Sequence, residues 1–162
     1  MGLATAFWIM AVVMVVSALA VIFLRNVFRA ALALILCFIA VAGIYITLSA
    51  DFLAAVQILV YVGAISVLII LGIMMTREVQ KGSPVNKMEI PAVIVATVLL
   101  GILVYTVTNT PWMISRQAPL TPTTMPLAAR LFSENGFILP VEIGAVLLLA
   151  AILGAIVITR EK

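Results

Sequence analysis

Histidine is absent from this chain of 162 residues, and cysteine occurs once, as Cys37. The six acidic residues are scattered along the sequence. A metal or haem site needs several His, Cys or carboxylate ligands close together, so we expect this chain to bind neither by itself. A single cysteine cannot form an internal disulfide, and Cys37 is interpreted as a small apolar packing residue.

The sequence also contains no glycine-rich phosphate loop and no nucleophile–base pair. We therefore predict no catalytic residue and no bound cofactor in this chain. Charge is scarce as well: 9% of the residues are charged and 66% are hydrophobic. A soluble domain is about one quarter charged and about half apolar. The composition predicts an integral membrane protein.

Long uncharged runs divide the chain into membrane spans. A helix needs about 20 apolar residues to cross the hydrocarbon core, and the runs do not alternate as barrel strands do. We predict an all-α, single membrane domain over 1–162, with five transmembrane helices at about 3–24, 30–49, 52–75, 90–108 and 138–159. The residues 109–136 form an outer loop in which Pro126–Phe132 is expected to make a short amphipathic turn.

The basic residues predict the orientation, because cytoplasmic loops of membrane proteins are enriched in Lys and Arg. One side holds seven of them: Arg25, Arg29, Arg77, Lys81, Lys87, Arg160 and Lys162. The other side holds two, Arg116 and Arg130. The N-terminus is therefore predicted outside and the C-terminus inside. This asymmetry accounts for the net charge of +3, and no nucleic-acid partner is inferred from it.

The third span contains polar and small residues that a lipid-facing anchor does not need. Gln57 and Tyr61 are four residues apart and share a helix face. They are interpreted either as hydrogen-bonding groups that fix helix packing or as the lining of a hydrated path. Gly63 and Gly72 are interpreted either as points of close helix packing or as points where the backbone relaxes, as in a single π-type turn.

Two acidic residues lie near predicted helix starts. Glu142 follows Pro140 near the start of the last span, where a carboxylate gains from the helix dipole. Its other interpretation is a polar or proton-binding contact near the outer interface. Asp51 comes just before the third span and is predicted to cap it.

Two stretches resemble a known family. The run "QILVYVGAISVLIILGIMM" is similar to the third helix of the J-type membrane subunit of proton-pumping NADH–quinone oxidoreductase, respiratory complex I, whose mitochondrial counterpart is subunit 6. The terminal "FILPVEIGAVLLLAAILGAIVITREK" is similar to the last helix of that family. The resemblance implies a place in the membrane arm, packed on antiporter-like and small subunits. Quinone, NAD, FMN and Fe–S clusters are then expected in partner subunits.

The resemblance also implies that the third helix can carry a π-bulge near Tyr61 and Gly63, and that a change between π and α geometry gates a water chain. The coupling residues are then Gln57, Tyr61, Gly63, Ala64 and Ser66. We predict a local departure from α-helical geometry between Val60 and Ser66. Some relatives carry an acid where this chain has Gln57, which cannot titrate.

Two other functions are open on the sequence alone: a purely structural assembly subunit of the same complex, and a small stand-alone transporter. A transporter would need substrate-binding charges in mid-membrane, and no span has one deep in its helix. NADH is the expected electron donor, with ferredoxin or F420 as alternatives. We expect the chain in the cell inner (plasma) membrane.

Overall fold

The computed structural model describes residues 2–76, 89–112, 122–133 and 136–160. The polar connector after the third span and the first part of the outer loop lie outside the described residues. Six helices are present in the described part: α1 Gly2–Phe23, α2 Val27–Thr47, α3 Asp51–Met75, α4 Glu89–Asn109, α5 Thr124–Phe132 and α6 Ile138–Thr159.

Five of these helices are long and apolar enough to cross a membrane, which confirms the predicted helical class. The start of α2 differs most from prediction, because it begins at Val27 rather than at residue 30. The side-chain oxygen of Asn26 accepts hydrogen bonds from the backbone N–H groups of Phe28 and Arg29, at 3.0 and 3.2 Å. Such a cap satisfies amides that have no partner inside the helix, so the link between α1 and α2 spans 24–26 instead of the predicted 25–29.

The link between α2 and α3 is a compact reversal of the chain. The N–H of Ala50 donates to the Tyr45 carbonyl, and the N–H of Ser49 donates to the Ile46 carbonyl. These two bonds form a Schellman motif, whose central residue is left-handed. Ser49 occupies that position with a φ of 59°. The motif turns the chain within a few residues and sets α2 and α3 side by side.

Asp51 is not the cap of α3. Ala50 occupies the cap position without a side-chain hydrogen bond, and Asp51 is the first residue of the helix. The predicted cap was wrong by one residue, because the left-handed Ser49 lets the helix begin immediately after the turn. An acid in the first turn is still favourable next to the helix dipole.

Helices α1, α2 and α3 form the packed part of the molecule, with α2 between the other two. Alanines supply its buried apolar positions: Ala31, Ala40, Ala42 and Ala54. Gly43 of α2 lies against Met10 of α1, and an added Cβ there would be 2.8 Å from the Met10 sulfur. Half-buried Cys37 places its sulfur 3.7 Å from the Met14 carbonyl oxygen, as expected for a residue packed between helices. Small residues allow these helices to approach closely.

Helices α4 and α6 lie apart from this three-helix bundle. Neither contributes a buried residue in the described part of the chain. Helix α5 is the element that contacts α6. The apolar faces of α4 and α6 therefore remain available to lipid or to other proteins.

The short helix α5 confirms the predicted turn in the outer loop and is longer than expected, starting at Thr124. Pro126 fits there because the first turn of a helix has free amides in any case. The amide of Phe137 donates to the Arg130 carbonyl at 3.0 Å. An added Cβ on Gly136 would collide with that carbonyl group, so only glycine allows the chain to turn this tightly into α6.

Candidate functional site

Helix α3 changes its hydrogen-bonding pattern in the middle. Residues Gln57–Ile65 form a π-helical segment of nine residues, between α-helical stretches Asp51–Val56 and Ser66–Met75. The predicted departure from α geometry is confirmed, and it begins three residues before the predicted start, Val60. Most π segments in proteins are single turns and are frequent at functional sites. We call Gln57–Ile65 the π segment.

Gln57 begins the π segment and is buried, with 7% of its surface exposed. Its side-chain nitrogen lies 3.5 Å from the carbonyl oxygen of Phe38 on α2 and donates to it. A buried amide without a partner is costly, so this bond supports the burial of Gln57. Gln57 thus makes an interhelical hydrogen bond to α2, and its place in a hydrated path stays a prediction.

Tyr61 contacts the same residue of α2 through its ring. The rings of Tyr61 and Phe38 meet edge to face, with centroids 5.5 Å apart and an interplanar angle of 65°. Such pairs contribute about 0.5–1.5 kcal/mol beyond the burial of their area. Tyr61 is 42% exposed, and its hydroxyl makes no hydrogen bond within the described part of the chain. The phenol is therefore held by its ring and keeps a free hydroxyl.

Ser66 closes the π segment and is almost fully buried, at 2% exposure. Its hydroxyl donates to the carbonyl oxygen of Tyr61 at 2.6 Å, and its backbone N–H donates to the same oxygen. In α-helices, serine hydroxyls bond back to carbonyls three or four residues earlier. The five-residue spacing seen here matches the π register, so the Ser66 hydroxyl stabilises that register.

The π segment also decides which side chains face inward. An α-helix advances about 100° per residue, so nine positions would put Gln57 and Ser66 on opposite sides. A π turn holds more residues and advances less per residue. Both side chains are buried here, and α2 contacts all three parts of α3. The altered winding therefore brings both polar groups to the buried side of the helix.

The small residues Gly63 and Ala64 are not buried against another helix of the described structure. An added Cβ on Gly63 would meet only the Ile58 carbonyl oxygen of its own helix, at an ordinary 3.5 Å. On Gly72 it would meet nothing within 4 Å in the described structure. Neither glycine therefore makes a close contact with another helix among the described residues, and close packing against another protein stays a prediction for both. Ala64 is exposed, on the outward side of the π segment.

Glu142 does not cap the last span. Helix α6 begins at Ile138, with Phe137 at the cap position, so its first turn holds no acidic residue and Glu142 is the fifth residue. The helix begins at the predicted residue, 138, and Pro140 is tolerated in its first turn, so the Glu142 carboxylate lies just beyond that turn. The Glu142 side chain is exposed in this chain. Its predicted role as a polar interface residue stays a prediction.

The chemistry available at the π segment is that of neutral polar groups. An amide, a phenol and a hydroxyl lie along it, and none of them carries charge at neutral pH. Across the described ranges, no three His, Cys, Asp or Glu residues lie close enough to hold a metal ion. These groups can order water and transmit a change of helix geometry.

Phe38 was missed in the sequence, although it contacts the π segment twice. Its carbonyl accepts the Gln57 amide and its ring packs on Tyr61. Nothing in its local sequence distinguishes it from other apolar residues of α2, because the signal lies in another helix. Gly43 was missed too, although the neighbouring small residues of α2 were a usable signal of close packing.

The fold therefore belongs to the class of all-helical membrane proteins with five spans. The first three spans pack together, and α3 is interrupted by the π segment. Comparison with known proteins gives the particular family. Residues 17–158 match the model of NADH-ubiquinone/plastoquinone oxidoreductase chain 6. The chain belongs to this family, and the resemblance noted in its third and last helices is confirmed.

Individual relatives are similar over nearly the whole chain. A protein named NAD(P)H-quinone oxidoreductase chain 6 from Leptolyngbya boryana is 39% identical over 160 residues, covering 97% of this chain and 79% of the relative. A chloroplastic NAD(P)H-quinone oxidoreductase subunit 6 from Nephroselmis olivacea is 40% identical over 148 residues, covering 89% and 85%. F(420)H(2) dehydrogenase subunit J from Methanosarcina mazei is 35% identical over 160 residues, covering 96% and 90%.

Proposed function

We propose that this chain is a membrane-arm subunit of a proton-translocating quinone oxidoreductase and that α3 helps couple quinone reduction to proton translocation. The observation that carries the proposal is the π segment, with Gln57 and Ser66 buried at its two ends. Family membership supports the assignment to such a complex. The chain itself contributes no redox centre to this scheme, and the quinone, NAD, FMN and Fe–S clusters belong to partner subunits.

The coupling step is a change of α3 between π and α geometry. Conversion of one turn shifts every later residue by about 100° around the helix axis. Ile65 is half-buried and Leu68 is 72% exposed in the π form, so such a shift exchanges their surroundings. Moving an apolar side chain across a polar path wets or dries it. In this scheme Tyr61 orders water with its free hydroxyl and does not store a proton.

Exposed apolar surface supports membership of an assembly. Helices α4 and α6 have large apolar side chains on all sides and lie apart from the bundle. Lipid tails cover such surface as well as protein does, so exposed apolar area alone does not indicate a protein partner. The separation of α4 and α6 from the bundle is the stronger support for partner subunits. We propose that antiporter-like and small membrane subunits pack between and around these helices, with the bilayer covering the remainder.

The electron donor is left open by the relatives. Two are named for NAD(P)H and one for F(420)H(2), at similar identity to this chain. NADH is the proposed donor, and an F420- or ferredoxin-linked enzyme would use the same subunit chemistry. We place the complex in the cell inner (plasma) membrane, with the N-terminus of this chain outside.

A purely structural role is the second candidate, because the Gln57–Phe38 and Ser66–Tyr61 hydrogen bonds also fix helix packing. A coupling role and a structural role differ in what a change at Gly63 does. Glycine leaves the backbone free to adopt either geometry. Gly63→Val restricts that freedom and should favour regular helix, and its Cβ would meet the Ile58 carbonyl oxygen only at an ordinary 3.5 Å. Gly72→Val, in the α-helical part of α3, is the matched control.

The test uses the tagged chain expressed in its own host. We expect it to co-purify with a large quinone-reducing assembly, and Gly63→Val to slow quinone reduction and proton pumping several-fold while reduction of an artificial acceptor by the peripheral arm is retained. Gly72→Val should assemble and pump normally. A full yield of complex with unchanged pumping in Gly63→Val would leave only the structural role. Proton transport by the isolated chain in vesicles would instead establish the transporter.

A further inference from the structure

A cleft of about 450 Å³ lies between the α2–α3 turn and helix α5. One wall is formed by Leu48, Phe52 and Leu53 at the turn, and the other by Pro126 and Leu127 of α5. The turn joins two membrane spans, and α5 belongs to the link between the next two. Because the spans alternate in direction, both walls lie at the same end of the spans, at the level of the membrane surface.

Two polar groups line this apolar cleft without partners. The Thr123 hydroxyl oxygen is buried and has no hydrogen bond in the described structure. Arg130 also lines the cleft, and it forms no ion pair with a described residue. Asp51 is the nearest acid in the sequence of the turn, and it does not line the cleft although both of its neighbours do. The cleft thus combines apolar walls with one arginine and one hydroxyl donor, and neither side chain has a partner among the described residues.

We propose that this cleft binds an anionic phospholipid of the outer leaflet. The phosphate diester carries one negative charge and several acceptor oxygens, so it can accept hydrogen bonds from both Arg130 and Thr123. Acyl chains then lie along Leu53 and Leu127. Charge complementarity favours an anionic head group over a zwitterionic one, as in other basic lipid sites between membrane helices. A free inorganic anion would leave the apolar walls uncovered.

The site is independent of the coupling role of α3, because no residue of the π segment lines it. It would hold α5 against the α2–α3 turn through the lipid. The hydrogen bond from the Phe137 amide to the Arg130 carbonyl already links α5 to the start of α6. The lipid would fix α5 at a second place.

Site-specific photo-crosslinking tests the proposal on the full-length chain. A photoreactive amino acid replaces Leu127, which lines the cleft, or Met125, which is 73% exposed on the same helix and serves as the control. Each protein is reconstituted in phosphatidylcholine vesicles containing a minor fraction of phosphatidylglycerol with the same acyl chains. Captured lipids are identified by mass. We expect position 127 to capture phosphatidylglycerol well above its share of the vesicle, and position 125 to capture lipids in proportion.

Two further variants show whether the polar groups select the head group. Arg130→Gln should lower the enrichment at position 127 roughly tenfold, the usual effect of losing a hydrogen bond to a charged group. Thr123→Val keeps the side-chain shape and should lower it as well, which covers the case in which Arg130→Gln does not insert. Equal capture of both lipids, or enrichment that survives both variants, overturns the proposal. In the assembled complex in native membranes, a crosslink from position 127 to another protein subunit would overturn it too.

Discussion

The hydroxyl of Ser66 donates to the carbonyl oxygen of Tyr61, five residues earlier in the same helix, at 2.6 Å. The backbone N–H of Ser66 donates to that oxygen too. Both bonds have the spacing of a π turn, and an α turn would require other partners for both groups. A single buried serine thus stabilises the π register with its side chain, and its removal is a direct way to shift the balance between the two geometries.

Ser66→Ala should favour the α form by about 1 kcal/mol, the usual net contribution of one hydrogen bond. This corresponds to a shift of about fivefold in the population ratio. Proton pumping per quinone reduced should fall in the assembled complex. Ser17→Ala is the matched control: Ser17 is buried to 3% exposure, and its hydroxyl bonds to Val13 and Met14 in the ordinary α spacing. Equal effects of the two substitutions would contradict a specific role for the π register.

The Phe38–Tyr61 pair separates the ring of Tyr61 from its hydroxyl. Tyr61→Phe keeps the edge-to-face contact, so we expect unchanged thermal stability and a loss of pumping that reports only the hydroxyl. Phe38→Leu removes the aromatic contact and should lower the stability of the chain by about 1 kcal/mol. Thermal unfolding in detergent and proton uptake by the complex measure the two effects. Normal pumping by Tyr61→Phe would exclude the hydroxyl from the water path.

Gly43→Val should weaken the packing of α1 on α2. Its Cβ would lie 2.8 Å from the Met10 sulfur, and the extra methyl groups would force the helices apart. Overpacking of this kind costs about 1–3 kcal/mol. Gly101→Val, where a Cβ meets nothing within 4 Å in the described structure, is the control and should leave the unfolding temperature of the isolated chain nearly unchanged. A smaller loss for Gly43→Val than for the control would contradict the proposed contact.

Ser49→Gly should stabilise the α2–α3 turn. Ser49 has a φ of 59°, a conformation that costs a residue with a side chain about 1–2 kcal/mol and glycine little. Glycine also loses more entropy on folding, so the expected net gain is about 1 kcal/mol. Leu48→Gly, at a residue with a φ of −89°, should destabilise instead. Thermal unfolding of both variants in detergent checks the opposite signs.

The predicted orientation is open to cysteine labelling from the two sides of the membrane in a Cys37→Ala background. Ser133→Cys, at an exposed residue after α5, should react with an impermeant reagent from outside. Ser83→Cys, in the basic connector between α3 and α4, should react only from inside. Labelling of Ser83→Cys from outside would reverse the orientation.

The five spans could be predicted from the sequence, because the hydrophobic effect and the cost of burying charge act on each run independently of its neighbours. It also indicated the place of the π segment, since Tyr61, Gly63 and Ser66 interrupt an otherwise apolar helix. The start of α2 was missed, although an Asn directly before an apolar run is a recognised sign of a helix N-terminus.

The contacts of these residues depend on how the helices pack against one another. Phe38 is an ordinary aromatic residue until α2 places it beside Gln57 and Tyr61. Glu142 was interpreted as gaining from the helix dipole near the start of the last span, and the structure makes it the fifth residue of a helix that begins at the predicted position. The inward position of Gln57 and Ser66 follows from helix winding, which depends on hydrogen-bond register and on packing against α2 together.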